Sequence, residues 1–350
     1  MMADSPDTER GFGFDPLIPR VVQQAASRAP ILLPWQPRVL PLGTFFQSAA
    51  TANSSNPFAP QSAFDADSLS SIPITFSTSD ASGRFRSSEG LSSSSSTDHL
   101  SVGVGVGVDL VFLEASVSVH YDRDVLENHD GNKASVTTSY RAGSVAFTRP
   151  PELSAEAFGV FIGDEAHGRP PGGIDDFHAK YGDYYVSGYR IGGDASVLFS
   201  TQTSTRHLTE TERVDITVES CFGDEHERRA TSSVSTEHGA EVRVSAYSTI
   251  DQTLIREAAR AGSPRFEALL QQGRAIHRRA QTLEDRVAQG LQEIGVQDGG
   301  RVTPQQCMQL CERALVVELL LMPVESLRQV RQWSITKTAP GVSRQDRFDF

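Results

Sequence analysis

Cysteine is scarce: the chain of 350 residues has three, Cys221, Cys307 and Cys311. An odd, sparse set builds no disulfide framework. Cys307 and Cys311 stand four apart and would share a helix face, but no neighbouring His or Cys completes a metal site. They read as small apolar core residues. Long apolar runs are also missing. The longest, Ala314 to Val324, is broken by Glu318 and Pro323, so no segment reads as a membrane-spanning helix. Positive charge is in deficit, with 32 Lys and Arg against 44 Asp and Glu, for a net charge of -12. Such a chain repels phosphate backbones, which excludes nucleic acid as a partner, and charge alone does not attach it to anionic lipid. The opening stretch, Met1 to Arg10, carries Asp4, Asp7 and Glu9 and no apolar core of a secretory signal. Synthesis in the cytosol is expected, with non-classical export left open.

Catalytic signatures are absent as well. Gly103, Gly105 and Gly107 lack the third glycine of a dinucleotide loop, and their flanks alternate like a strand. There is no P-loop and no H-E-x-x-H, and Asp122 to Gly131 lacks EF-hand spacing. Asp164, Glu165 and His167 precede Gly168-Arg169-Pro170-Pro171-Gly172-Gly173, which reads as an exposed loop rather than an acid–base pair. His207, His226 and His238 sit among acids and hydroxyls and read as solvated, with pH sensing as the alternative. No catalytic, cofactor or metal residue is assigned, and no enzymatic activity is expected.

What is present is alternation. In Ser101 to Tyr121, Val102, Val104, Val106 and Val108 alternate with glycine, and Val117 and Val119 alternate with Ser116, Ser118 and His120. That period of two predicts a strand. Ala134 to Phe147, Tyr184 to Ser200, Arg213 to Phe222 (Val214, Ile216, Val218) and Glu241 to Tyr247 (Val242, Val244) read the same way. Asp122 to Lys133 reads as a polar turn, residues 29 to 62 as loops, and Ser92 to Ser96 as an exposed loop. Long strands far apart in sequence suit a large antiparallel sheet. After Ser263-Pro264 the period changes. Phe266 to Ile294 predicts a helix of roughly eight turns. A second helix is expected from Thr303-Pro304 through Cys307, Leu310, Cys311, Leu315, Leu319 and Met322, and a third, short one over Val324 to Trp333.

The most specific segment is Tyr181-Gly182-Asp183-Tyr184-Tyr185-Val186, followed by Gly192-Gly193. It resembles the signature of the membrane attack complex/perforin (MACPF) family. Tyr181, Gly182, Tyr185, Val186, Gly192 and Gly193 match by position, whereas Asp183 and Tyr184 stand where Thr-His is usual. Gly11-Phe12-Gly13-Phe14-Asp15-Pro16-Leu17 resembles the family's opening, so the resemblance runs from about Gly11 to about Leu254. A plainer reading has Tyr184, Tyr185 and Tyr189 alternating on an ordinary strand with a bulge at Gly192.

The resemblance implies an α+β fold: a large bent, twisted antiparallel sheet of about four strands, flanked by helices or hairpins, with C-terminal helices. It divides the chain into a flexible N-terminus (1–9), a MACPF-like domain (10–260, loop-rich over 29–100), a helical region (261–334) and a tail (335–350). It implies a pore former that oligomerises into arcs or rings on membrane lipid, alone or through a partner protein, and inserts β-hairpins. The inserting strands would be Ser101–Tyr121 with Ala134–Phe147, and Thr205 to Tyr247. Their apolar positions are Val102, Val104, Val106, Val108, Val117, Val119, Val214, Ile216, Val218, Val242 and Val244. Asp224 to Arg229 holds five charged residues and a histidine, and must sit at a hairpin tip beyond the lipid. A non-lytic assembly or binding protein of the same fold, and an unrelated β-rich interaction protein, stay open.

Overall fold

A single strand of 18 residues, Tyr184–Thr201, runs through the middle of the molecule, paired along most of its length with another of 16, Asn132–Phe147. The structure is a computed structural model that describes residues 20–35, 37–52, 56–90, 99–101, 113, 116–163, 171–202, 213–217, 233–237 and 239–338. In chain order the strands are β1 (Ile31–Pro34), β2 (Phe45–Phe46), β3 (Ile74–Ser77), β4 (Ser82–Gly90), β5 (Asn132–Phe147), β6 (Tyr184–Thr201), β7 (Arg213–Thr217), β8 (Ser233–Glu237), β9 (Glu241–Ser248), β10 (Thr253–Arg260), β11 (Arg301–Val302) and β12 (Val316–Pro323). The helices are α1 (Arg20–Ala26), α2 (Ala66–Ser71), α3 (Val117–Glu127), α4 (Ala155–Ile162), α5 (Ile174–Tyr181), α6 (Pro264–Gln281), α7 (Leu283–Ile294), α8 (Pro304–Glu312) and α9 (Arg328–Thr338).

Ten strands form one antiparallel sheet, and β7 and β8 pair separately. The fold is therefore α+β, but with ten sheet strands rather than about four. The sheet has two halves that share β5 and β6. In the upper half the order is β11-β3-β5-β6-β12-β1, and β2 adds to the start of β6. In the lower half the order is β4-β5-β6-β9-β10. The halves meet at a bulge between Arg141 and Gly143, opposite Ile191 and Gly192. A bulge adds a residue to one strand and bends it locally.

Packing differs between the two faces of the lower half. On one face Val136, Val197, Phe199, Val242 and Val244 meet Phe266, Leu269 and Ile276 of α6 in an apolar layer. On the other, α3 lies over Tyr247 and Leu198. In the upper half Leu291 of α7 and Leu310 of α8 pack in one cluster with Leu33 of β1 and Leu319 of β12. A third cluster, rich in rings, joins Phe45, Phe161, Phe177, Tyr181 and Tyr185, with Phe161 and Phe177 stacked at 5.0 Å.

Several sequence expectations are corrected. Val117 and Val119 lie on helix α3, not on a strand, and Asp122 to Glu127 continues that helix rather than forming a turn. Val117, Tyr121 and Val125 recur every four residues and are buried on one side, so the helical period was present beneath the period of two. The second C-terminal helix stops at Glu312; Leu319 and Met322 lie on β12, and Leu315 just before it. Ala314 takes φ +56°, which ends the helix, and the apolar run that follows is a strand buried between β1 and β6. A short apolar run of this kind has the same look in a buried helix and a buried strand. The eight-turn helix divides at Thr282, whose hydroxyl bonds back to the carbonyl of Arg279, giving α6 and α7. Residues 29–62, expected as loops, supply β1 and β2.

Candidate functional site

The signature residues occupy the upper half and the bend. Tyr181 ends α5, its ring buried against Phe45 and Phe177. Gly182 caps that helix at φ +113°, where a side chain would also strike the backbone of Phe46. Only glycine takes this conformation without strain. Tyr185 pairs with Phe45, and Val186 is buried on the opposite face. Asp183, one of the two departures from the family pattern, accepts from the Ser48 amide at 2.7 Å and from the Ser48 hydroxyl. It anchors the 3-10 turn Ser48–Ala52. Tyr184, the other, donates to the carbonyl of Ala29 at 3.0 Å. Both replacements tie the chain's first loops to the start of β6.

At the bend the two adjacent glycines serve different contacts. A Cβ on Gly192 would overlap the carbonyl of Tyr140 on β5. A Cβ on Gly193 would come within 2.8 Å of Leu283 and 2.9 Å of Ile250, side chains of α7 and of the β9–β10 turn. The first absence lets the backbones cross closely; the second seats a helix on the bend.

Beside these glycines lies a buried ionic triad. Arg141 of β5 donates to both oxygens of Asp194 on β6, at 2.6 and 3.1 Å, and to Glu318 of β12 at 2.8 Å. All three residues are buried. Burial works against the guanidinium charge, but the two carboxylates overcome it and hold its pKa above the ordinary arginine value. The triad joins both halves of the sheet, because Glu318 belongs to the upper half and Asp194 begins the lower. The sequence offered no signal for it: Arg141 and Glu318 are 177 positions apart.

Below the bend, α3 is seated on hydroxyls. The sheet face beneath it presents Ser135, Thr137, Ser196 and Ser200, all buried. Ser196 donates to the hydroxyl of Tyr121 at 2.9 Å, and Tyr121 donates to the carbonyl of His99 at 3.0 Å. His99 Nδ1 lies 2.8 Å from Ser135 Oγ. Asn128 donates to Ser200 at 2.7 Å, and Ser200 to Asp130 at 2.7 Å. Midway along the helix Asp122 accepts from the amide and the hydroxyl of Ser101, each at 2.6 Å. Arg256 of β10 pairs with Asp124, whose pKa burial raises despite that partner. A groove of about 310 Å³, lined by Asp124, Glu127, Arg243 and Arg256, runs along the seam between α3 and the strands β9 and β10. The α3 dock thus combines a row of hydroxyls with the apolar contacts of Val117, Tyr121 and Val125, whereas the opposite face carries an apolar layer.

The remaining predicted positions divide. Val102, Val104, Val106, Val108 and Val218, and the charged stretch Asp224 to Arg229, lie outside the described residues. Val214 and Ile216 are on β7, in register with Thr236 and Val234 of β8. Val242 and Val244 are not part of that hairpin: they are on β9, 0% and 1% exposed beneath α6, because β9 completes the main sheet beside β6. Cys307 and Cys311 are buried free thiols whose pKa burial pushes up to about 12 and about 11. Among the described residues no helix is long and apolar enough to cross a membrane, and no cluster of His, Cys, Asp and Glu is arranged for a metal.

No family model matches the chain, and no curated protein does. Among solved structures, a non-hemolytic pneumolysin from Streptococcus pneumoniae is 11% identical with a TM-score of 0.25, over 69% of this chain and 40% of that one. The human-specific toxin intermedilysin is 10% identical with a TM-score of 0.24, over 71% and 40%. A MAC/Perforin-domain protein from Bacteriodes thetaiotaomicron is 11% identical with a TM-score of 0.23, over 78% and 66%. The chain spans about two fifths of the length of the two toxins.

Proposed function

We propose that this chain is a MACPF-type pore-forming protein that oligomerises on membrane lipid and inserts two β-hairpins per copy. The observation that carries this reading is the double patterning of α3. As a helix, Val117, Tyr121 and Val125 face the sheet. As an extended strand, Val117, Val119, Tyr121 and Val125 would share one side, with Arg123 the exception, and Ser118, His120, Asp122 and Asp124 the other. A strand alternating in this way suits a barrel wall between lipid and water. The segment leads directly into β5 and is held by hydrogen bonds that water can replace at small net cost, about 1 kcal/mol each.

The topology supports the rest. The connections β4–β5 and β6–β9 leave the same end of the lower half-sheet and are each about forty residues long. That is enough for two membrane strands of ~9–11 residues and a turn. The second already contains the β7–β8 pair. In a ring of identical copies the rims of this half-sheet meet. Its outer strands, β4 and β10, run in the same direction, so joining them makes a parallel seam. Displacing β10 leaves four strands, and β9 then meets the next β4 antiparallel. An even number of antiparallel strands closes a barrel without edges, and every backbone group in the lipid is then satisfied. Homo-oligomeric arcs or rings, membrane lipid as the partner, and membrane association on activation follow from this reading.

The test is release of a trapped dye from liposomes by the purified protein, with electron microscopy of the lipid surface. In a Cys221→Ser background, Asn128→Cys and Ser200→Cys joined by a short thiol crosslinker would pin α3 to β6. Leakage that the crosslink blocks and a reductant-cleavable version restores supports the proposal. Leakage untouched by the crosslink removes α3 from the mechanism. Arcs without leakage favour a non-lytic assembly protein of the same fold, and neither arcs nor leakage would leave the third reading, an interaction protein.

A further inference from the structure

A cavity of about 350 Å³ opens on the upper half of the sheet, at the end away from the connections that would insert. Ile74 of β3, Phe147 of β5, Leu69 of α2, Cys307 and Met308 of α8, and Leu40 line it. None of its lining residues carries a charge. Its few polar side chains are already engaged: Tyr189 donates to the carbonyl of Leu40, and Ser70 to that of Asp67 at 3.0 Å. The Cys307 thiol, with its pKa pushed up to about 12, stays neutral. An ionised group inside would be left without a partner, and a ligand hydroxyl belongs at the mouth, where Ser70 is exposed. Val39 and Met308 stand 37% and 46% exposed on the lining, which gives the cavity an apolar mouth.

We propose that this cavity binds one uncharged aliphatic molecule or chain end of roughly a dozen carbons, since an apolar cavity of about 150 Å³ already takes benzene. The size fits a ligand site, and the lining selects by length and lack of charge rather than by hydrogen bonds. The same chemistry comes from a free non-polar molecule or from the end of a single lipid chain, and the two differ in whether a headgroup is tolerated at the mouth.

Calorimetric titration of the full chain with 1-octanol, 1-decanol and 1-dodecanol tests it. One-to-one binding is expected, tightening about fourfold per methylene. Leu69→Trp fills the cavity from α2, and Met308→Trp caps it from a partly exposed position that folding tolerates. Either variant, with an unchanged melting curve, should weaken 1-decanol at least tenfold. Competition by decanoyl-lysophosphatidylcholine identifies a lipid chain with its headgroup outside; competition by neutral alcohols alone identifies a free molecule. No stoichiometric binding, affinity independent of chain length, or binding unchanged in Met308→Trp overturns the proposal.

Discussion

Gly192 lies against Tyr140 backbone to backbone: a Cβ on the glycine would overlap the tyrosine's carbonyl oxygen, across the point where the sheet bends. Nothing flexible stands between them. Gly193, by contrast, comes nearest to the side chains of Leu283 and Ile250. Gly192→Ala is therefore expected to destabilise the fold by about 2–3 kcal/mol and Gly193→Ala by about 1 kcal/mol, the ordinary range for overpacking that backbone or side chains must absorb. Urea denaturation of the two variants checks the order. Equal losses would mean that the bend does not depend on this crossing.

The Arg141 triad predicts an asymmetry. Arg141→Met leaves Asp194 and Glu318 buried without their cation and should cost about 3–5 kcal/mol. Replacing all three together with apolar residues of similar volume should cost far less than that, because no unpaired charge remains. If the triple variant is as unstable as Arg141→Met, the triad contributes shape rather than charge compensation.

Tyr121→Phe removes the hydroxyl that links Ser196 to the carbonyl of His99 while keeping the ring tilted against Tyr247. A loss of about 1–2 kcal/mol is expected. Hydrogen exchange should rise in α3 before it rises in α6, since the α6 layer rests on apolar contact that Tyr121 does not touch. Under the proposed function the variant also releases dye faster than the parent chain.

Two aspartates set opposite pH slopes. Burial works against the charge of Asp251, but hydrogen bonds from Arg286 and Ser248 and the charges of Arg286 and Arg279 hold its pKa below the ordinary 3.8. Its contribution to stability is present above pH 3.8 and is lost as pH falls through the lowered value. Asp124 is raised above 3.8, first by burial. Its contribution is present below 3.8 and is lost as pH rises through the raised value. Melting temperature against pH should therefore lose part of its fall below pH 3.8 in Asp251→Asn, and part of its decline on the way up from pH 3.8 in Asp124→Asn. Identical profiles in the parent and both variants would contradict the assignments.

Much of the lower half-sheet was legible because its strands are long and alternate: β5, β6 and β9 lie within a residue or two of the segments that the period of two marks out. α6 was legible from Ser263-Pro264 and its apolar spacing, with Ser263 accepting from the amide of Phe266 as an N-cap does. The upper half was not. β12 is apolar on both faces and carries no period, and β1 and β2 are too short to show one. α3 was misread because residues spaced by four are also spaced by two. At the site, the glycines were visible in the sequence, but their partners were not: Tyr140, Glu318 and the hydroxyls under α3 are brought there by pairing between distant strands.

Under the proposed function, the row of hydroxyls beneath α3 has a second consequence once the helix has gone. Ser135, Thr137, Ser196 and Ser200 would become the wall of whatever passage the assembled sheets enclose, and a hydroxylated wall wets where an aliphatic one expels water. Substituting them with valine or alanine would leave Tyr121, Asn128 and Asp130 without these partners, loosening the resting helix, and would dry the conduit in the same stroke. Tenacity of the closed state and permeability of the open one thus depend on the same four side chains, and losing them impairs both.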